Sequence, residues 1–198
     1  MNLDREGLYR GLSNAAWGYL FLNFDLNLGT VSVTPRFVGW LLFVAAIRDL
    51  AQERRDLALL RPLVLLLLGW SLLDWLFAWA GRSLEGQILF LDLLTAAAGL
   101  YFHYQFLTDM AALAERYQDP EDNLDRRLRR RRTQYLVLVT VIQLTVTLAG
   151  NWRQAWQVWL TMGLAVAGCV VAVLIMAALF ALRRYFMPGE QPQDDSSH

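Results

Sequence analysis

The sequence predicts an all-α fold, a polytopic membrane helix bundle of about six transmembrane helices in three hairpins, with both termini cytoplasmic. Three observations carry this expectation. The chain has 198 residues, 56% of them hydrophobic, and the apolar residues gather in long runs. A soluble domain of this length buries one core and does not normally carry five or six such runs. The eighteen basic residues are all Arg, and they fall almost wholly on one side of the runs. Tryptophans and tyrosines cluster near the run ends, as interfacial belts do.

A helix needs about 20 apolar residues to cross the hydrocarbon core. Two N-terminal runs reach spanning length only when extended to 8–24 and 36–51, which takes charges into them. Asp4, Arg5, Glu6 and Arg10 precede the first run and no cleavage site follows, so a retained helix is expected rather than a signal peptide. The stretch between these runs could instead make the first hairpin re-entrant from the cytoplasm. Residues 62–80, 87–107 and 156–182 meet the length easily, and 133–149 is adequate. Residues 108–132 read as a basic cytoplasmic loop. Within it, Asp119-Pro120-Glu121-Asp122 resembles a helix start leading into "RRLRRRR". Residues 1–187 thus form one transmembrane domain, and the polar tail 188–198 is expected to be disordered.

Orientation follows from the arginines. With the N-terminus inside, fifteen lie on the cytoplasmic side and only Arg36, Arg82 and Arg153 lie outside. Trp75, Trp79, Trp152 and Trp156 then mark the outer boundary, and Tyr101, Tyr104, Tyr135 and Tyr185 the inner one. The expected location is the bacterial cytoplasmic (plasma) membrane, multi-pass. Net charge is zero, so the total argues for neither a basic nor an acidic partner. Cys169 is the single cysteine, which excludes an internal disulfide framework and reads as a packing residue. There is no glycine-rich phosphate loop, H-E-x-x-H, G-x-S-x-G or paired-cysteine motif. No catalytic residue, metal or cofactor is expected, and no nucleic acid.

The polar stretch "NFDLNLGTVSVTPRFVGW" (23–40) interrupts two apolar runs. From Arg36 to Arg48 is only about 18 Å of helix, against a core of about 30 Å. This predicts a segment that dips below the outer surface, where Asp25, Asn27 and Arg36 face a cleft. An ordinary outer loop is the competing reading. Asp74 and Asp92 lie at similar distances from the turn between the third and fourth spans. Ser71, Asp74, Ala78 and Gly81 share one helical stripe; Glu85, Asp92, Ala96, Gly99 and His103 share another. A charge near the bilayer centre costs at least about 2.5 kcal/mol, so such stripes face protein or water. The two carboxylates either bind a cation, proton or polar solute, or bond to backbone or to Thr140, Gln143 and Thr147. His103 lacks neighbours at metal-ligand spacing and reads as a satisfied interfacial histidine. Arg129, Arg130, Arg131 and Arg132 are candidates for anionic lipid headgroups.

Asp25, Asn27, Gly29, Pro35, Phe37 and Gly39 carry a resemblance to uncharacterised small polytopic membrane proteins of Gram-positive-type bacteria. There an Asn- and Gly-containing turn leads to Pro, an aromatic and Gly at the next helix. Arg36 stands where that pattern has an acidic residue, and the resemblance implies no activity. In architecture alone the chain resembles the substrate-binding subunits of energy-coupling-factor transporters. Ala15 and Ala16 are present here, but the spaced alanines of those subunits are not. The functional expectation is a solute- or ion-binding transport module with a polar cleft in the outer half of the bilayer. An energising partner subunit would be implied. The alternative is a non-catalytic assembly or regulatory partner that binds other membrane proteins and anionic lipid. An intramembrane enzyme using Asp74 and Asp92 ranks last, for want of a nucleophile–base pair.

Overall fold

The computed structural model describes residues 4–24, 27–28, 31–32, 35–82, 84, 89–119, 121–149 and 155–187. The expected tail 188–198 and Asp25 lie outside these residues. The chain forms α1 (Arg5–Asn23), β1 (Asn27–Leu28), β2 (Val31–Ser32), α2 (Arg36–Leu50) and the 3-10 helix η1 (Arg55–Leu60). It continues as α3 (Arg61–Trp79), α4 (Leu89–Tyr117), α5 (Leu124–Ala149) and α6 (Ala155–Arg184). The only β structure among the described residues is antiparallel, with Asn27 opposite Ser32 and Leu28 opposite Val31.

Helix ends follow local chemistry. The Asp4 side chain accepts the Gly7 N–H at 2.9 Å and caps α1, with Glu6 in the first turn. Pro62 opens α3, where its missing N–H costs nothing. Arg183 and Arg184 end α6 against its negative pole.

Two helical stretches are long and apolar enough to cross a membrane, Arg55–Trp79 and Met162–Arg184. Only 22% and 17% of their most apolar windows are buried. A soluble core helix hides its apolar residues, whereas these turn Leu65, Leu73, Val166 and Val170 outward. The other helices do not combine that length and apolar character among the described residues, so composition by itself carries two spans rather than six. α2 has only 15 residues, and α5 opens with its arginine run.

The expected loop 108–132 is mostly helix. α4 runs on to Tyr117 and α5 begins at Leu124, leaving 118–123 as the connection. Met110, Ala111, Leu113 and Ala114 continue a buried stripe on α4, and Leu124 and Leu128 are buried on α5. The charged opposite faces had hidden that stripe.

The helices close a ring in chain order, each packed on the next and α6 returning to α1; α3 touches α4 least. α1 and α2 are the closest pair. A Cβ on Gly18 would lie 3.3 Å from the Gly39 carbonyl, and one on Gly39 3.1 Å from the Gly18 carbonyl. Gly11 meets Leu50 and the Ala46 carbonyl in the same way. Small residues at such spacing let two backbones approach. Pairing Gly11 with Ala46 and Gly18 with Gly39 makes the two helices antiparallel. The starts of α1 and α5 and the ends of α2, α4 and α6 therefore share a basic end. By contrast, a Cβ on Gly69, Gly99 or Gly163, further toward the opposite end, would meet nothing within 4 Å.

Candidate functional site

A polar group lies at the centre of the ring. Four aromatic side chains, Trp40, Phe43, Phe102 and Phe106, pack edge-on, tilted or stacked there, with centroids 4.9–6.0 Å apart. Into this apolar cluster α4 projects His103 and α1 projects Tyr19, both buried. His103 Nδ1 lies 3.2 Å from the Tyr19 hydroxyl, so each satisfies the other. Tyr135 of α5 meets the His103 ring edge-on at 4.9 Å. The Tyr135 hydroxyl donates to Asn23 Oδ1 at 3.5 Å, and Asn23 Nδ2 donates to the Tyr19 carbonyl at 2.9 Å. Cys169 Sγ of α6 lies 3.7 Å from the Asn23 carbonyl. Groups from α1, α4, α5 and α6 thus converge where an unpaired polar atom would be costly.

A second polar layer lies at the basic end. Asp109 is buried on α4 and accepts from Gln105 at 3.2 Å and from Arg54 at 3.3 Å. Asp49 is buried on α2, 3.1 Å from Arg48 and 3.9 Å from Arg10. Glu53 accepts from Arg116 and from the Tyr117 hydroxyl, each at 2.7 Å. These bonds tie the chain after α2 onto α4. Arg183 of α6 bonds Ser13 of α1 at 3.2 Å and covers the Tyr9 ring at 4.6 Å. Burial, then the Glu53 bond, pushes the Tyr117 hydroxyl above its ordinary pKa. The Gln118 side chain bonds Asp125 at 2.9 Å and accepts the Asp125 N–H at 3.1 Å. That bond is the main reason the Asp125 carboxyl lies below its ordinary pKa.

The sequence-selected residues are distributed differently from the expected cleft. Asp74 accepts the Leu84 N–H at 3.0 Å, so its carboxylate closes the turn after α3. Thr140 and Gln143, expected as partners, are exposed. Asp92 is half-buried in the first turn of α4, and Arg36 is exposed at the first residue of α2. Asn27 sits in β1 with its backbone alone described. Arg129 pairs with Glu115, Arg131 bonds Gln134 at 2.7 Å, and Arg132 bonds Thr108 at 2.7 Å above the Tyr104 ring. Of that run, Arg130 faces outward as an exposed cation. Two of the four, Arg129 and Arg132, thus clamp α5 to α4, and Arg131 bonds within α5.

Two further readings change. His103 is satisfied, as expected, but lies in the core rather than at an interface, and Tyr135 leaves the inner aromatic belt to join it. Tyr19, Asn23, Asp49 and Asp109 were missed. A signal existed for Asp109, because 102, 106, 109, 110 and 113 form one helical stripe of otherwise apolar residues.

No group of three or more potential metal ligands occurs among the described residues. The fold and its centre define an all-helical protein with two candidate membrane-crossing helices around a buried histidine–tyrosine pair. Comparison with protein-family models, curated proteins and solved structures gives no match, so geometry alone frames the function.

Proposed function

We propose that the chain is a six-span plasma-membrane protein, with both termini cytoplasmic, that binds a small ion or polar solute for transport. The observation that carries this reading is the convergence of His103, Tyr19, Tyr135 and Asn23 inside an aromatic ring. An ionisable side chain deep in a membrane bundle is expensive to keep and marks a solute or proton path. Phe106, one turn nearer the basic end than His103 on α4, closes the group on that side. A solute would enter from the opposite end, past Arg36 and Asp92, and stop at Tyr135 and His103. Asp74 fits a structural role better than a ligand role, because its carboxylate is committed to the Leu84 amide.

The test is a thermal-shift screen of the purified full chain against monovalent and divalent cations and small polar solutes. Wild type gains stability with at least one of them, and H103Q and Y135F lose that gain, each measured against its own unliganded melting temperature. No stabilising solute, or a shift that survives H103Q, overturns the reading.

One observation favours a second reading, a non-catalytic assembly partner. Gly69, Gly99 and Gly163 face open space, and α3 and α4 barely touch, so another membrane helix has room to pack there. Copurification of a stoichiometric membrane protein, lost in G69L and G99L, would support that reading over transport.

A further inference from the structure

The starts of α1 and α5, the end of α6 and Asp119 and Asp122 between α4 and α5 border an open cavity of about 590 Å³ at the basic end. Three helices each bring one arginine to it: Arg5, Arg127 and Arg184. None of these guanidiniums has a hydrogen bond, ion pair or ring contact among the described residues. Elsewhere at this end arginines are engaged, as Arg54 is with Asp109, Arg116 with Glu53 and Arg183 with Ser13. Three like charges around one cavity repel one another unless counter-charges sit among them. Guanidinium forks match phosphate oxygens in charge and geometry.

The cavity also carries two carboxylates, Asp119 and Asp122. Asp122 accepts the Tyr185 hydroxyl, and that bond pushes the Tyr185 pKa up, keeping it a donor. A bare phosphate would be attracted by the arginines and repelled by these two. A phosphate that carries its own cation satisfies both sets. Leu124, Ala181 and Met187 add an apolar wall.

We propose that this cavity binds a phosphate ester bearing an ammonium group, the chemistry of an ethanolamine phospholipid headgroup or of free phosphoethanolamine. The arginines hold the phosphate and Asp119 and Asp122 the ammonium. The site lies away from His103 and stands independently of the transport reading.

Binding to the delipidated full chain in detergent tests it, with four probes: short-chain phosphatidylethanolamine, short-chain phosphatidylglycerol, phosphoethanolamine and inorganic phosphate. The ethanolamine probes bind more tightly than phosphatidylglycerol and phosphate. R127Q and R184Q each weaken them by about tenfold, the size expected for losing one charge-assisted bond. D119N and D122N erase the preference for ethanolamine over glycerol. R130Q, outside the cavity, changes nothing. Tight binding of the lipid alone assigns the ligand to the membrane; equal binding of free phosphoethanolamine assigns it to a solute, and both support the site. These positions are exposed, so unliganded melting temperatures stay at the wild-type value and certify the fold. Phosphatidylglycerol binding as tightly as phosphatidylethanolamine, or R127Q and R184Q both binding like wild type, overturns the proposal.

Discussion

Asp74 separates a carboxylate used for its charge from one used for its oxygen. Its partner is the neutral Leu84 amide, so an oxygen acceptor of the same shape should serve. D74N should therefore melt within about 0.5 kcal/mol of wild type, whereas D74L should lose about 1–3 kcal/mol by leaving that amide unpaired. Equal melting of D74L and wild type would remove the capping role. Asp109 differs, because its charge is matched by Arg54. Its side chain is 2% exposed and that of Arg54 33%. Breaking a fully buried pair costs about 3–5 kcal/mol; partial hydration of Arg54 lowers the expectation for D109A to about 2 kcal/mol. Chemical denaturation in mild detergent checks it. Asp125 adds a pH dependence. Its folded carboxyl titrates below the ordinary value, chiefly through Gln118. The lowered pKa means that stabilisation is complete above the unfolded pKa of about 3.9 and fades as pH falls through the folded one. The stability gap between wild type and Q118A should thus be constant near neutrality and shrink on acidification below that value. A gap that widens with acid would reverse the assignment.

At the scale of elements, the α1–α2 pair and the α3–α4 pair are opposites. Gly18 and Gly39 let two backbones touch, and a leucine at either would overpack the contact, at about 1–3 kcal/mol. G18L and G39L should lower the melting temperature, and G69A and G99A should not, because a Cβ there meets nothing. Loss of stability in G99A comparable to G39L would mean that the helices around Gly99 are tighter than this arrangement. The arginine run belongs to the same scale. Glu115, Thr108 and Tyr104 on α4 hold Arg129 and Arg132, while Arg129 and Arg130 stay exposed. Partners on a neighbouring helix cannot be foreseen while the connecting segment is taken for a loop.

For the whole molecule, the ring order and the arginine distribution make one testable topology. On the proposed topology Gln52, Asn123, the start of α1 and the end of α6 share one side, and Arg82 takes the other. Single cysteines at Gln52, Asn123 and Arg82, placed in a C169A background, report this by labelling of sealed vesicles with an impermeant maleimide. Gln52 and Asn123 should share one accessibility and Arg82 the opposite one. Labelling of Gln52 and Arg82 from the same side would mean that α3 does not cross.

The sequence by itself determined the helical class, the approximate position of the six α-helices among the described residues and the polar end that gathers the arginines. Each is written in contiguous chain, as run length, 3.6-residue periodicity and charge sign. It also marked Asp74 and Asp92 as costly residues needing partners, because a carboxylate within an apolar run is penalised unless it is paired or faces water. Only the tertiary structure decided which partners they found. Asp74 took a backbone amide ten residues away, which no stripe of side chains reveals. His103, set aside as interfacial, met Tyr19 and Tyr135 because the ring brings α1 and α5 to α4. Distances between helices are set by which small residues let backbones approach and which aromatics fill the space. That depends on pairs of positions far apart in the chain, and a linear pattern carries no record of them.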